Sequence, residues 1–135
     1  MSAAYQSQAY DAIAYLDSAT DVNRNGGSCT TATDAVFLQY AAADGTRGVT
    51  YCDHYKTLSS GAVVCDKYLI WLNSAYLGTS AQQIQKTACH ELGHFASQDH
   101  HNAPWVSCMV SGAVGSESYW LTYYPHEIAE INTKF

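Results

Sequence analysis

Three histidines and one glutamate between residues 90 and 100 constrain the fold more than any other part of this 135-residue chain. His90 and His94 are four positions apart, so on a helix both imidazoles project from one face, at a separation that one tetrahedral zinc ion can bridge. Glu91 can then reach a metal-bound water without being a ligand. His100 reaches the same ion only if the chain reverses after about Ala96. The pattern predicts three histidine ligands and an open fourth position, which is typical of catalytic zinc.

The residues before and around the histidine pair have the pattern of an amphipathic helix. Thr79 or Ser80 can cap its start, and in either case a glutamine follows three residues later, as in a capping box. The apolar residues at helical spacing are Ile84, Ala88, Leu92 and Phe95. The sequence therefore places the histidine pair on a helix.

Two more helices are predicted near the ends of the chain. Apolar residues at spacings of four and three predict a helix from about Ser7 to Thr20 that packs one face on a sheet. Near the C-terminus, Pro125 suits the first helical position and Glu127 the third. These two residues predict a short helix from Pro125 to about Thr133.

Strand-like runs between the first two helices predict a small sheet. They cover residues 36–40, 48–52, 62–65 and 68–72 and are separated by turn-forming or polar residues. We therefore expect an α+β fold with an N-terminal helix, a twisted sheet of about four strands, the histidine helix and a C-terminal helix. A chain of this length has little room for a second core, so residues 1–135 are expected to form a single domain.

The run from His90 to His100, His-Glu-Leu-Gly-His-Phe-Ala-Ser-Gln-Asp-His, resembles the long zinc-binding motif of the metzincin metallopeptidases. Metzincins also have a methionine in a tight turn beneath the metal. Met109 comes after the motif at a similar place, as in the matrixins and the small snapalysin-like bacterial proteases. The resemblance implies that His90, His94 and His100 bind one Zn²⁺ and that Glu91 is the general base and acid of a small metzincin-type catalytic domain.

The same resemblance implies a zinc-dependent endopeptidase that acts on peptide or protein substrates. Tyr123 and Tyr124 lie where relatives build the wall of the pocket beside the scissile bond, so both are candidate substrate contacts. Relatives usually have glycine where this chain has Ser97, because the chain reverses there with positive φ. Either Ser97 adopts that conformation or the turn differs.

Five cysteines in so short a chain indicate disulfides. Cys89 precedes the first histidine and Cys108 precedes Met109, so a bridge between them would tie the helix to the methionine turn. Cys52 and Cys65 flank a predicted hairpin and form the natural second pair. Cys29 is left over, either free or paired with another molecule. The alternative is that none is bridged and all are buried thiols.

Charge and hydropathy exclude two classes of partner. Six Lys and Arg stand against twelve Asp and Glu, with no basic run, so nucleic acid is a poor candidate. No stretch approaches eighteen consecutive apolar residues, so no membrane span is expected. Eleven Tyr, few Lys and the cysteines resemble an exported protein. We expect a secreted monomer whose signal and any pro-segment have been removed.

Two other functions remain open on the sequence alone. One is a non-catalytic, zinc-stabilised secreted binding domain that has the motif but lost activity through the altered turn at Ser97. The other is a disulfide-stapled interaction module whose histidines bind no metal. Metal analysis separates the second from the rest, and a cleavage assay separates the first from a peptidase.

Overall fold

The computed structural model describes residues 1–24, 33–100 and 106–135, and Cys29 lies outside them. The described residues form a small α+β domain with four α-helices and a three-stranded mixed sheet. In chain order the elements are α1 (Ala3–Ala19), β1 (Ala35–Tyr40), β2 (Gly48–Thr57), β3 (Val63–Asn73), α2 (Ser74–Leu77), α3 (Ala81–Phe95) and α4 (Pro125–Asn132), with a 3₁₀ turn at Ser118–Leu121.

The sheet has the order β1-β3-β2, with β1 parallel and β2 antiparallel to the central β3. Sequence runs 62–65 and 68–72 are one strand, β3, so the described residues contain three strands where we expected about four. The polar residues between the two runs do not break the strand because they pair across the sheet. Asp66 forms an ion pair with Lys56 of β2, and Lys67 forms one with Asp53.

The helix predicted near the N-terminus is present as α1, beginning a turn earlier than expected. It packs mainly against α3 rather than on the sheet. Its buried face consists of Tyr5, Ala9, Ala12 and Leu16. The sheet also packs on α3, so α3 contacts both α1 and the sheet. His90 and His94 therefore lie on a helix that packs against both α1 and the sheet.

The predicted starts of α3 and α4 are confirmed. Ser80 is the N-cap of α3, and its hydroxyl accepts a hydrogen bond from the Gln83 N–H at 3.4 Å. At the start of α4, the Glu127 carboxylate accepts one from the Tyr124 N–H at 2.5 Å. No helix in residues 1–24, 33–100 and 106–135 is long and apolar enough to cross a membrane.

Both predicted disulfides are present. Cys52 is bonded to Cys65, and Cys89 to Cys108, with Cα–Cα distances of 5.8 and 5.9 Å. The second pair lies fully buried and connects α3 to the residues that precede Met109. Two disulfides in a small domain indicate an extracellular or otherwise oxidising environment.

Candidate metal centre

The structure brings the three predicted histidine ligands together. Nitrogen atoms of His90, His94 and His100 all lie within 4.8 Å of one another, and the Nε2 atoms of His94 and His100 are 3.0 Å apart. A tetrahedral zinc with Zn–N bonds of about 2.05 Å separates its ligands by about 3.3 Å. The described residues therefore contain a histidine cluster of the size that one metal ion requires.

Backbone carbonyls fix the orientation of two of these rings. The Nδ1 of His90 lies 2.8 Å from the carbonyl oxygen of Cys108, and the Nδ1 of His94 lies 2.8 Å from that of Gln98. Since a carbonyl only accepts, each Nδ1 carries a hydrogen, and in the neutral imidazole with this tautomer the lone pair is on Nε2. Metal-binding histidines are held in this way, with the second nitrogen bonded to the protein.

The protonation of the cluster also suits a metal. Burial lowers the pKa of His90 to about 3, with a smaller contribution from the Lys86 charge. Burial likewise lowers the pKa of His100. Both imidazoles are therefore neutral at pH 7, which is the form that coordinates a metal. The donor set, three imidazoles and no thiolate, fits Zn²⁺.

The chain reversal that brings His100 to the cluster is a Schellman motif at the end of α3. The Gln98 N–H donates to the Gly93 carbonyl at 2.8 Å, and the Ser97 N–H to the His94 carbonyl at 2.9 Å. Ser97 has φ 62°, so it adopts the left-handed conformation, the first of the two alternatives that the sequence leaves open. For a residue with a side chain this costs about 1 kcal/mol.

Met109 lies beneath the histidine helix, fully buried against Gly93. A Cβ on Gly93 would overlap the Met109 sulfur, so only glycine allows this approach. Hydrogen bonds connect the methionine turn to α4. The Ser107 hydroxyl accepts one from the Met109 N–H and donates one to Glu127, both at 3.0 Å. The C-terminal helix and the methionine turn thus form one support for the helix.

Glu91 is 4% exposed, on the side of α3 that faces β2. Burial raises the pKa of its carboxyl, and a hydrogen bond from Thr50 opposes that rise. The Thr50 hydroxyl is 2.8 Å from Glu91 Oε2, whereas Oε1 lies against Gly48. In the described residues no protein group donates to Oε1. A Cβ on Gly48 would come within 2.8 Å of it, so the glycine keeps this oxygen accessible.

A cleft of about 710 Å³ opens over the histidines and Glu91. Its wall includes residues 45–50, which lead into and begin β2, and its other side includes Ser111 and Gly112. Two cationic side chains, Arg47 and Lys86, also line it. The cleft is large enough for part of an extended peptide.

The two candidate substrate contacts occupy different positions. Tyr123 is 4% exposed and donates its hydroxyl to the Cys89 carbonyl at 2.7 Å, so it packs under the helix. Tyr124 is half-buried next to the start of α4. Contact of either residue with a substrate stays a prediction, and the burial of Tyr123 leaves little of its surface for that role.

Sequence reasoning missed Thr50, Gly48, Gly93 and Lys86 as parts of the site. Lys86 had a usable signal, because it precedes His90 by four residues and so shares the helix face of the histidines. Gly93, inside a helix pattern, indicated close packing. Thr50 and Gly48 had none, since their position depends on which strand packs over α3.

Comparisons of the chain with protein-family models, with curated proteins and with solved structures found no match. The metzincin resemblance therefore depends on the motif residues themselves, from His90 to His100 and at Met109. Beyond these residues, the function of the chain is inferred from the geometry of the histidine cluster and its cleft.

Proposed function

We propose that the protein is a secreted zinc-dependent endopeptidase. The observation that carries this proposal is the convergence of three imidazoles on one point, with a buried carboxylate lining the same cleft. His90, His94 and His100 would hold the ion. When bound, zinc supplies Lewis-acid chemistry, lowering the pKa of water to about 7 and polarising a carbonyl.

Glu91 is the group that would move the proton. Its Oε2 is held by Thr50, and Oε1 is the oxygen available to a water molecule in the cleft. Glu91 takes a proton as the water oxygen bonds to the peptide carbonyl carbon. It then delivers that proton to the amide nitrogen as the C–N bond breaks, so the carboxylate is regenerated. The raised pKa of Glu91 suits both halves of this cycle.

The sheet offers a way to position the substrate. In the described residues β2 pairs only with β3, so its other edge presents unpaired backbone groups, and its first residues line the cleft. An extended peptide can add to this edge and gain backbone hydrogen bonds. Such binding places a backbone amide across the cleft with little dependence on side chains, as an endopeptidase requires.

The test compares the wild type with Glu91→Gln, using a library of end-blocked peptides with and without a chelator. We expect about one zinc per chain in both proteins, cleavage that the chelator abolishes, and a fall in kcat/KM of at least about 100-fold in the variant. Glu130→Gln, an exposed carboxylate on α4, is the matched control and should behave as wild type.

Turnover by Glu91→Gln near the wild-type rate would refute the mechanism. Zinc binding by the wild type without cleavage of any library peptide would favour a non-catalytic, zinc-stabilised binding domain. Absence of zinc from a protein with intact disulfides would favour an interaction module without a metal.

A further inference from the structure

Two cations line the cleft next to the histidines, although the chain as a whole carries a net charge of −6. Lys86 is 2% exposed and donates hydrogen bonds to the backbone carbonyls of Val110 and Gly112. Arg47 is half-buried, and its Nη2 donates to the Gln83 side chain at 2.8 Å. These acceptors are neutral, so they satisfy hydrogen bonds without balancing either charge.

Within the part of the chain that the structure describes, no carboxylate forms an ion pair with either cation. All twelve Asp and Glu residues fall within the described segments, where the lysine and arginine ion pairs are Lys56–Asp66 and Lys67–Asp53. Glu91 acts on Lys86 only from a distance, and its carboxylate is bonded to Thr50. The Nε of Arg47 is buried and has no hydrogen-bond partner in the described residues. A buried donor of this kind needs an acceptor.

The cations lie close to where a peptide bond would be cut. Lys86 is one helical turn before His90 and on the same face of α3. Arg47 immediately precedes β2, whose first residues would pair with the substrate backbone. Arg47 is also close enough to lower the pKa of Lys86, which burial brings to about 8. The positive field of both side chains therefore acts in the same cleft as the histidines and Glu91.

We propose that Arg47 and Lys86 form an acid-binding subsite that selects substrates with a glutamate or aspartate side chain next to the cleaved bond. The substrate carboxylate would supply the missing counter-charge and an acceptor for the free donors of Arg47. Lys86, deeper in the cleft, acts through its charge. This proposal rests on the proposed peptidase function and specifies its substrate class.

The experiment uses end-blocked peptide pairs that differ only by Glu against Gln at each position flanking the cleaved bond. Glu and Gln have the same size, so the ratio of their kcat/KM values isolates charge. The zinc-loaded wild type is expected to favour Glu at one position by about tenfold or more, and less at high salt. Arg47→Gln and Lys86→Gln should each bring the ratio towards one, and Arg47→Lys should restore part of it.

Lys67→Gln, which removes a cation outside the cleft, is the control and should leave the ratio unchanged. Two further arms separate this proposal from the function on which it rests. Binding of the same peptides to Glu91→Gln, measured by calorimetry, reports the preference without turnover. Peptides with a free C-terminal carboxylate and no acidic side chain test whether a chain end is the group selected.

Each outcome decides the proposal. Cleavage or binding with a Glu preference that the Arg47 and Lys86 variants lose supports it, even if no turnover occurs. Efficient cleavage with a Glu-to-Gln ratio near one at every position overturns it and leaves the peptidase intact. A preference confined to free chain ends overturns the side-chain assignment, and failure to bind any peptide overturns both proposals.

Discussion

The two disulfides close loops of similar length in very different surroundings. Cys52–Cys65 spans 13 residues and joins β2 to β3, and residues 53–63 between the two cysteines are all exposed. Cys89–Cys108 spans 19 residues, and both of its cysteines are fully buried, Cys89 within α3 and Cys108 just before Met109. Chain entropy alone would assign about 3 kcal/mol to each. Any difference between their contributions to the unfolding free energy therefore measures the effect of their surroundings in the folded protein.

The contrast extends beyond the disulfides. The hairpin contains a glycine, Gly61, with open space around it, and a lysine, Lys56, in an exposed ion pair. The helix region contains Gly93 in contact with Met109, and the buried Lys86. Each pair has the same residue type in two settings. The hairpin is cross-linked but exposed to solvent. In the helix region, by contrast, a disulfide, a close packing contact and a buried lysine all lie near the histidines.

The largest loss of unfolding free energy is expected when a disulfide is removed by paired Cys→Ala substitutions. Without Cys89–Cys108 the protein should lose about 4–5 kcal/mol of unfolding free energy, because the loss of loop closure adds to small cavities in the core. Without Cys52–Cys65 the loss should be at most about 3 kcal/mol. Urea unfolding in chelator, which keeps metal binding out of the comparison, measures both.

Zinc affinity provides the second measurement on the same variants. The carbonyl of Cys108 holds the Nδ1 of His90, so loss of the buried bridge should weaken zinc binding by at least about tenfold. The hairpin variant should bind zinc as the wild type does. Equal stability losses together with unchanged zinc affinity in both variants would mean that only the loop length matters.

The glycines give the next effect. Gly93→Ala places a Cβ in overlap with the sulfur of Met109, which is fully buried. We therefore expect a loss of about 3 kcal/mol of unfolding free energy and weaker zinc binding. Gly61→Ala meets no atom within 4 Å and is strained only by its φ of +84°, which costs about 1 kcal/mol. Thermal and urea unfolding measure both changes. Equal losses of unfolding free energy in the two variants would show that Met109 can move to accommodate the added Cβ.

The sequence was sufficient for features set by local spacing. The cap at Ser80, the helix around His90 and His94, and the start of α4 all depend on residues within one or two turns of each other. The reversal at Ser97 was required by the position of His100, although only the structure shows that serine bears the positive φ. The Cys89–Cys108 disulfide was inferred from the neighbouring His90 and Met109, and Cys52–Cys65 from the predicted hairpin that its cysteines flank.

Features that depend on long-range packing were missed. The strand β3 has the sequence pattern of two strands because Asp66 and Lys67 are polar, and their partners on β2 are known only once the register is known. Thr50 and Arg47 reach the site for the same reason, through the edge strand that packs over α3. No local signal in the sequence tells which strand that is.

The two lysines give the smallest effect and a test by pH. Burial brings the pKa of Lys86 in the folded protein to about 8, whereas the unfolded chain keeps the ordinary value of about 10.5. Below pH 8 this lysine is charged in both states, and its desolvation lowers stability. Between pH 8 and 10.5 the unfolded state binds the extra proton, so the Lys86 contribution to the unfolding free energy becomes more favourable as pH rises.

Relative to Lys86→Met, the wild type should therefore gain about 2 kcal/mol of unfolding free energy between pH 7 and pH 10. Methionine cannot make the hydrogen bonds of Lys86 to the backbone carbonyls. The variant lacks these bonds at both pH values, so their loss does not contribute to the change between pH 7 and pH 10. Asp66 raises the pKa of Lys56, so Lys56 stays charged over this range and Lys56→Met should show no such change. Parallel pH profiles for wild type and Lys86→Met would mean that Lys86 is solvated in the cleft. The helix region and the hairpin would then differ in their disulfides and glycines but not in the burial of a charged lysine.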